Sequence, residues 1–270
     1  LFGMLPFYLS GYIPSITNAF FETMSGFSST GATILNDIEK LPHGLLFWRS
    51  MTQWIGGLGI VFFTIAVLPI FGVGGIQVFA AEASGPTHDK VHPRIGITAK
   101  WIWGIYAGLT GTLIILLMFG GMNIFDSICH AFATTSTGGF STKQASIEYY
   151  HSPYIEYVIS IFMFISGINF TLLLLFVNGK LKKFVHDAEL KWYFWSVTGF
   201  TIVIAAILYY NSSMGVEEAF RKSLFQVASL HTSTGFATAD YMTWPAITWG
   251  MLTVIMIMGA CAGSTTGGIK

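Results

Sequence analysis

Three short segments of this 270-residue chain carry residue types suited to holding a bare cation. They are Ser28-Ser29-Thr30-Gly31-Ala32-Thr33, Thr135-Ser136-Thr137-Gly138-Gly139-Phe140-Ser141 and Thr232-Ser233-Thr234-Gly235-Phe236-Ala237-Thr238. Each contains Ser-Thr-Gly, follows a short apolar stretch and precedes a polar stretch and then a long apolar one. Gly31, Gly138 and Gly235 lie 107 and 97 residues apart. A single Ser-Thr-Gly is a common turn. Three copies at nearly constant spacing in one context are an internal repeat. A Thr-Gly turn after a short helix aims backbone carbonyls inward, and glycine supplies conformations that other residues avoid. Rings of such carbonyls replace the hydration shell of a potassium ion, and the negative end of each preceding helix faces the same point. The candidate filter residues are therefore Ser29, Thr30 and Gly31; Ser136, Thr137 and Gly138; and Ser233, Thr234 and Gly235.

The elements that position these turns must lie in lipid. Hydrophobic residues make up 53% of the chain and charged residues 10%, with a mean hydropathy of +0.64. So few charges cannot cover a soluble surface. A helix needs about 20 apolar residues to cross the hydrocarbon core, which predicts spans at Leu45–Phe79, Ile97–Met122, Tyr154–Asn178 and Lys191–Tyr210, and a shorter apolar helix at Trp244–Gly259. The first is longer than one crossing, and Pro69, Gly72, Gly74 and Gly75 are where it would bend. Ser15–Phe27, Phe125–Thr134 and Val216–Leu230 are too short to span and read as re-entrant helices. Seven of the 13 basic residues sit in two connectors, with Lys90, Arg94 and Lys100 on one and Lys180, Lys182, Lys183 and Lys191 on the other. The positive-inside bias makes both connectors cytoplasmic. The chain begins at Leu1 inside an apolar stretch and stops at Lys270 after a Gly-rich one, so a longer membrane protein is expected around it.

Other chemistries find little footing. The 13 basic residues balance 13 acidic ones, and no basic stripe suits nucleic acid. Cys129 and Cys261 read as buried apolar residues. No nucleophile–base pair, phosphate loop or metal cluster is visible, so no enzyme is expected. Asp126 reads as the N-cap of the second short helix, Glu217 and Glu218 suit the positive end of the third, and Asn169 reads as a mid-span hydrogen-bonding residue. Glu22, in the first short helix, reads with Asp126, Glu217 and Glu218 as solvated surface at the mouth, and the seven histidines show no ligand spacing. A rival reading is a secondary solute transporter with broken helices at the midplane. That reading predicts inverted repeats, whereas these three breaks run in one direction.

Ser264-Thr265-Thr266-Gly267-Gly268 imitates a fourth filter. Gly267 is only 32 residues after Gly235, and the one helix between them covers about 24 Å. The chain has no room to return, so Ala260–Gly268 is expected to interrupt a span and line a cavity.

The repeat resembles the Trk/Ktr/HKT superfamily of potassium translocators, and within it the bacterial TrkH family. Further residues carry the resemblance: Arg49-Ser50-Met51-Thr52-Gln53-Trp54-Ile55-Gly56-Gly57-Leu58-Gly59, Ala81-Glu82 through Pro93-Arg94-Ile95, and Ser166-Gly167-Ile168-Asn169-Phe170. It implies an all-α polytopic membrane protein whose span–pore helix–span units surround a pseudo-fourfold pore. Unit one would end at residue 79, a cytoplasmic connector would cover 80–100, unit two 101–178, a second connector 179–190 and unit three 191–270, with unit four outside the sequence. The resemblance also implies that Ala262, Gly263, Ser264, Thr265, Thr266, Gly267 and Gly268 form an intramembrane gate. It further implies a homodimer in the bacterial inner membrane seated on a cytosolic nucleotide-binding ring of TrkA type, with potassium as the transported ion and no bound cofactor.

Overall fold

Prolines and small polar residues punctuate an otherwise apolar chain, and the helices start and stop at them. The computed structural model describes residues 1–67 and 95–269. Among these residues the regular structure is helical, without strands. The α-helices are α1 (Leu5–Leu9), α2 (Ile16–Phe27), α3 (His43–Val67), α4 (Ile95–Phe119), α5 (Ile124–Thr135), α6 (Pro153–Ser166), α7 (Phe170–Val177), α8 (Leu181–His186), α9 (Ala188–Asn211), α10 (Val216–His231) and α11 (Ala246–Ile257). The short helices α2, α5 and α10 each run directly into a Ser-Thr-Gly segment.

The helix after each segment starts at a proline, a residue whose fixed φ and missing N–H suit a first turn. Pro42 precedes α3, Pro153 opens α6 and Pro245 precedes α11. Fourteen residues beyond each proline stands a glycine: Gly56, Gly167 and Gly259. All three are places where a Cβ would collide: with the Phe27 carbonyl at Gly56, the Tyr193 hydroxyl at Gly167 and the Gly267 carbonyl at Gly259. The three helices therefore share a close-approach point at one height.

At that height the expected single span Tyr154–Asn178 breaks. Helices α6 and α7 meet at 101°. Gly167 caps α6, and the Asn169 side chain accepts from Thr171 N at 2.8 Å, so the chain restarts as a new helix. Asn169 is thus an N-cap rather than a mid-span residue. The second short helix is also capped differently from the sequence reading. Asn123 is its N-cap, accepting from Asp126 N, and Asp126 lies three residues on, accepting from the Asn123 amide. This reciprocal pair resembles a capping box. The other predicted helices lie close to expectation, whereas α1 and α8 have no counterpart in the sequence reading. For the long first span, α3 covers the part up to Val67. Residues 68–79, their bend glycines and most of the 80–100 connector, Lys90 and Arg94 included, lie outside the described residues.

Among the described residues, 100–119 of α4 and the whole of α9 are long and apolar enough to cross a membrane, and the bent pair α6–α7 makes a third crossing if it is one span. Helix α9 is apolar on all sides. Leu190, Tyr193, Val197, Ile204 and Leu208 face the core, while Trp192, Trp195, Ile202 and Tyr209 are exposed. A helix apolar all round suits an environment of protein on one side and lipid on the other. Three apolar clusters hold the bundle. One lies among α1, α2 and α3, one among α4, α5, α6 and α10, and the largest among α4, α7, α9, α10 and α11.

Candidate functional site

The short helices end in one repeated turn. After the last residue in right-handed conformation (Ser28, Ser136, Thr232), the next adopts a left-handed one without being glycine: Ser29 at φ 53°, Thr137 at 52° and Ser233 at 51°. Two residues further a glycine does the same: Gly31 at 76°, Gly139 at 74° and Gly235 at 83°. The following N–H closes each turn on a helix carbonyl five residues back, Thr30 on Ser25 at 2.9 Å, Gly138 on Ala133 at 2.8 Å and Thr234 on Ser229 at 2.8 Å. This is the long bond of a Schellman ending. A non-glycine residue held left-handed costs of order 1–3 kcal/mol and persists only where surroundings demand it.

The register of these turns differs from the spelling of the motif. Gly139, not Gly138, is the equivalent of Gly31 and Gly235. Gly138 stands where the other two segments carry Thr30 and Thr234. The second Ser-Thr-Gly is displaced by one residue, and the doubled glycine hid this.

Among the described residues, no N–H or O–H donates to the carbonyl oxygens of Ser29, Gly31, Thr137, Gly139, Ser233 or Gly235. Three oxygens beside them, Ala32 O, Gly138 O and Phe236 O, are held. Ser25 Oγ holds Ala32 O at 2.5 Å and Ser229 Oγ holds Phe236 O at 2.7 Å. The second segment has Ala133 at that helix position and is held instead by Gln53 on α3. Its Nε2 donates to Gly138 O at 2.6 Å, and its Oε1 accepts from Phe140 N at 3.0 Å.

The segments meet edge to edge by one repeated contact. A Cβ on Gly31 would overlap the Gly138 carbonyl oxygen, and a Cβ on Gly139 would overlap that of Thr234. Each turn glycine thus abuts the carbonyl preceding the turn glycine of the next segment, and a Cβ on Gly235 would have open space around it. The second segment, flanked on both sides, is fully buried at Ser136 and Thr137, whereas Thr30 and Gly235 are exposed.

Seven residues before each left-handed position lies a buried polar side chain, and Glu22, expected as solvated surface, is one of them because Arg49 and the first segment enclose it. Glu22, fully buried, accepts from Thr33 Oγ1 at 2.8 Å, from Ile34 N at 3.1 Å and from Arg49 Nε at 2.7 Å. Arg49, 2% exposed, also donates to Ser141 O of the second segment at 3.0 Å and lies 3.6 Å over the Phe140 ring. His130 takes the Glu22 position in the second segment, with Nε2 2.9 Å from Ser141 Oγ. Gln226 takes it in the third, where the partner position is Ala237 and the Gln226 Oε1 is buried without a partner. Register relative to the turns was the signal that would have found all three.

A family model described as a cation transport protein, TrkH, matches residues 3–270. The chain belongs to the TrkH family. It is 44% identical over 278 residues to the Trk system potassium uptake protein TrkH of Escherichia coli, covering 99% of this chain and 56% of that protein. It is 41% identical to the Halomonas elongata TrkH, covering 100% and 57%. The crystal structure of the potassium transporter TrkH from Vibrio parahaemolyticus superposes with a TM-score of 0.80 at 36% identity, covering 94% of this chain and 52% of that one. The chain spans about half the length of the relatives it matches. Its fold is that of an all-α, multi-pass membrane protein.

In this TrkH-family chain the segment expected to interrupt the last helix leaves helical conformation after Ile257. It packs on the second and third turns. Thr137 Oγ1 donates to Thr265 O at 3.0 Å, and Gly267 N donates to Ser233 Oγ at 2.8 Å. Thr265 Oγ1 reaches Thr135 O at 3.3 Å and Ser166 O at 3.4 Å. Ser264 Oγ donates to Cys261 O at 2.6 Å and lies 2.8 Å from Thr266 Oγ1. Gly263 and Gly268 are left-handed, and Gly263 lies against Asn169 while Gly268 lies against Gly259. Ala262 N donates to Glu189 Oε1 at 2.6 Å. The left-handed residues Thr137 and Ser233 therefore both touch the loop, whereas the equivalent Ser29 hydroxyl is buried and unpaired.

The remaining candidates have structural partners. Asp126 accepts from Thr142 Oγ1 at 2.6 Å and ties the exit of the second turn to its helix start. Glu217 pairs with Arg221 at 2.8 Å, and Arg221 with Glu156 at 2.5 Å. His231 lies 3.0 Å from Ser196 Oγ and stacks on Tyr193. Cys129 and Cys261 are buried. Among the described residues no cluster of three His, Cys, Asp or Glu side chains could hold a metal ion.

Proposed function

We propose that this chain supplies three of four filter segments to a pore that passes potassium inward across the bacterial inner membrane. The observation that carries the reading is the set of repeated turns whose carbonyls at Ser29/Gly31, Thr137/Gly139 and Ser233/Gly235 have no donor among the described residues, while Ala32 O, Gly138 O and Phe236 O beside them are held. Oxygens spared from hydrogen bonding at the negative ends of three helices suit a cation that has shed its water. A polar backbone at membrane depth is tolerated where it lines such a cavity. The names of the relatives, potassium uptake proteins, support potassium as the ion.

In this reading units one, two and three end near residues 79, 178 and 270, and the connectors 80–100 and 179–190 lie on the cytoplasmic side. A fourth segment meets Gly235 as Gly138 meets Gly31. The loop 262–268, pressed against the second and third turns, occludes the path on one side of the filter and moves when the pore opens. The complete protein is a homodimer that docks a cytosolic nucleotide-binding ring of TrkA type through its connectors. It has no resident cofactor and acts as a transporter rather than an enzyme.

The test compares potassium and sodium uptake by the full-length protein with Gly31→Ser, Gly139→Ser and Gly235→Ser variants. Loss of preference for potassium in all three is expected. Parental selectivity and rate in all three would sink the assignment.

A further inference from the structure

The loop after α11 is fastened to its surroundings by backbone bonds, Cys261 N to Gly167 O and Phe170 N to Gly263 O, both at 3.1 Å, and by bonds involving the hydroxyls of Ser233, Thr137 and Thr265. One further bond is to a carboxylate. Ala262 N donates to Glu189 Oε1 at 2.6 Å across 73 residues of sequence. Glu189 is the second residue of α9, immediately after the segment joining α7 to α9. It has no capping duty there, because Asp187 caps α9 by accepting from Leu190 N at 2.9 Å. Among the described residues it belongs to no ion pair. This half-buried carboxylate, a few residues after the exposed Lys180, Lys182 and Lys183 in sequence, thus bonds a loop N–H rather than an ammonium. Helix α8, which carries two of those lysines, packs on both α7 and α9. Helix α8 thus links the connector to the start of α9, which carries Glu189.

We propose that Glu189 is a positioning residue that latches the loop: its carboxylate holds Ala262, and the 179–190 connector releases the loop by drawing that carboxylate away. This rests on the reading of 262–268 as a gate. A hydrogen bond to an ionised acceptor is among the stronger ones, and a bond made only in the occluded state biases the two-state equilibrium toward it. The bond needs an oxygen acceptor at that reach, so glutamine in place of glutamate keeps it, more weakly, and alanine abolishes it.

Rubidium uptake by the full-length transporter in proteoliposomes, with amide hydrogen exchange of residues 258–268 in the same preparations, tests the latch. Glu189→Ala is expected to raise uptake about tenfold and to speed exchange at Ala262, the scale of losing one charge-assisted bond. Glu189→Gln is expected to stay near the parent in both readouts. If the alanine variant does not insert, Glu189→Asp, one methylene short of Ala262, carries the same expectation. Parental uptake and exchange in the alanine variant would overturn the latch, and so would a glutamine variant as open as alanine. A variant lacking 263–267 separates the two readings. Raised uptake there with a parental alanine variant removes the latch alone. Unchanged uptake on shortening the loop removes the gate and the latch together.

Discussion

Arg49 holds more of the site than its single charge suggests. It binds Glu22 on α2 and Ser141 O beyond the second turn, so it spans two segments with both ions out of water. Breaking such a pair by removing one partner leaves an uncompensated buried charge, at a cost of about 3–5 kcal/mol. Arg49→Met is expected to lower the melting temperature of the detergent-purified protein strongly, and the double variant Arg49→Met/Glu22→Gln to recover much of the loss. An additive double variant would contradict this coupling. Gln53 works at the same scale without charge. Its amide orientation is fixed by Phe140 N, which needs an acceptor, so its nitrogen faces Gly138 O. Gln53→Leu strands both backbone groups, each worth about 1–3 kcal/mol when buried and unpaired. Reduced potassium-over-sodium uptake is expected, and parental selectivity would show that the second turn stands without it. Neither residue was visible as a partner from sequence. Arg49 and Glu22 are 27 residues apart and Gln53 and Gly138 are 85, and no local pattern links them.

The helices were largely legible because apolar length and short polar breaks carry most of the signal in a lipid-embedded chain. The ends of α9 and α10 fall within about three residues of expectation, within the usual scatter of helix boundaries. The broken span was not legible, although its cause was on view. Gly167-Ile168-Asn169 holds a glycine under Tyr193 and an N-capping asparagine, but the flanking residues are apolar enough to read as one crossing. The three Pro–Gly pairs at a spacing of 14 would have marked the shared height of the breaks. The turn register was missed for a different reason. Gly138 completes the spelled motif, while the left-handed conformation belongs to Gly139, and only backbone geometry separates them. At this scale the cap is testable. Asn169→Ala should lower stability by about 1 kcal/mol, the usual worth of an N-cap, and Asn169→Asp should preserve most of it. A thermal melt of the purified protein reads the difference, and equal melting of the alanine variant and the parent would mean that the 101° bend is held by packing alone.

Across the whole molecule the segment contacts follow a rotation. Gly31 meets Gly138 and Gly139 meets Thr234, while a Cβ on Gly235 would have open space; the proposed fourth segment would meet Gly235 by the same rule. In the full-length protein Gly235→Ala is therefore expected to be as damaging to folding and uptake as Gly139→Ala, since each Cβ would strike a neighbouring carbonyl in addition to the left-handed strain, which alone is about 1–2 kcal/mol. A Gly235→Ala variant that loses only that smaller amount, while Gly139→Ala fails, would mean that the rotation stops at the third segment. The asymmetry behind the filter also belongs to this scale. Glu22, His130 and Gln226 occupy one equivalent position with three chemistries, so the repeat conserves backbone turns and varies their supports.

The central claim is that the unpartnered turn carbonyls bind the ion. Anomalous scattering from rubidium or thallium in crystals of the full-length protein addresses it directly. The account predicts a peak on the axis enclosed by the three turns, within coordination distance of the carbonyl oxygens of Thr137, Gly139, Ser233 and Gly235, and weakened by excess potassium but not by sodium. A peak held instead by side-chain carboxylates such as Glu217, or one displaced equally by sodium, would contradict it.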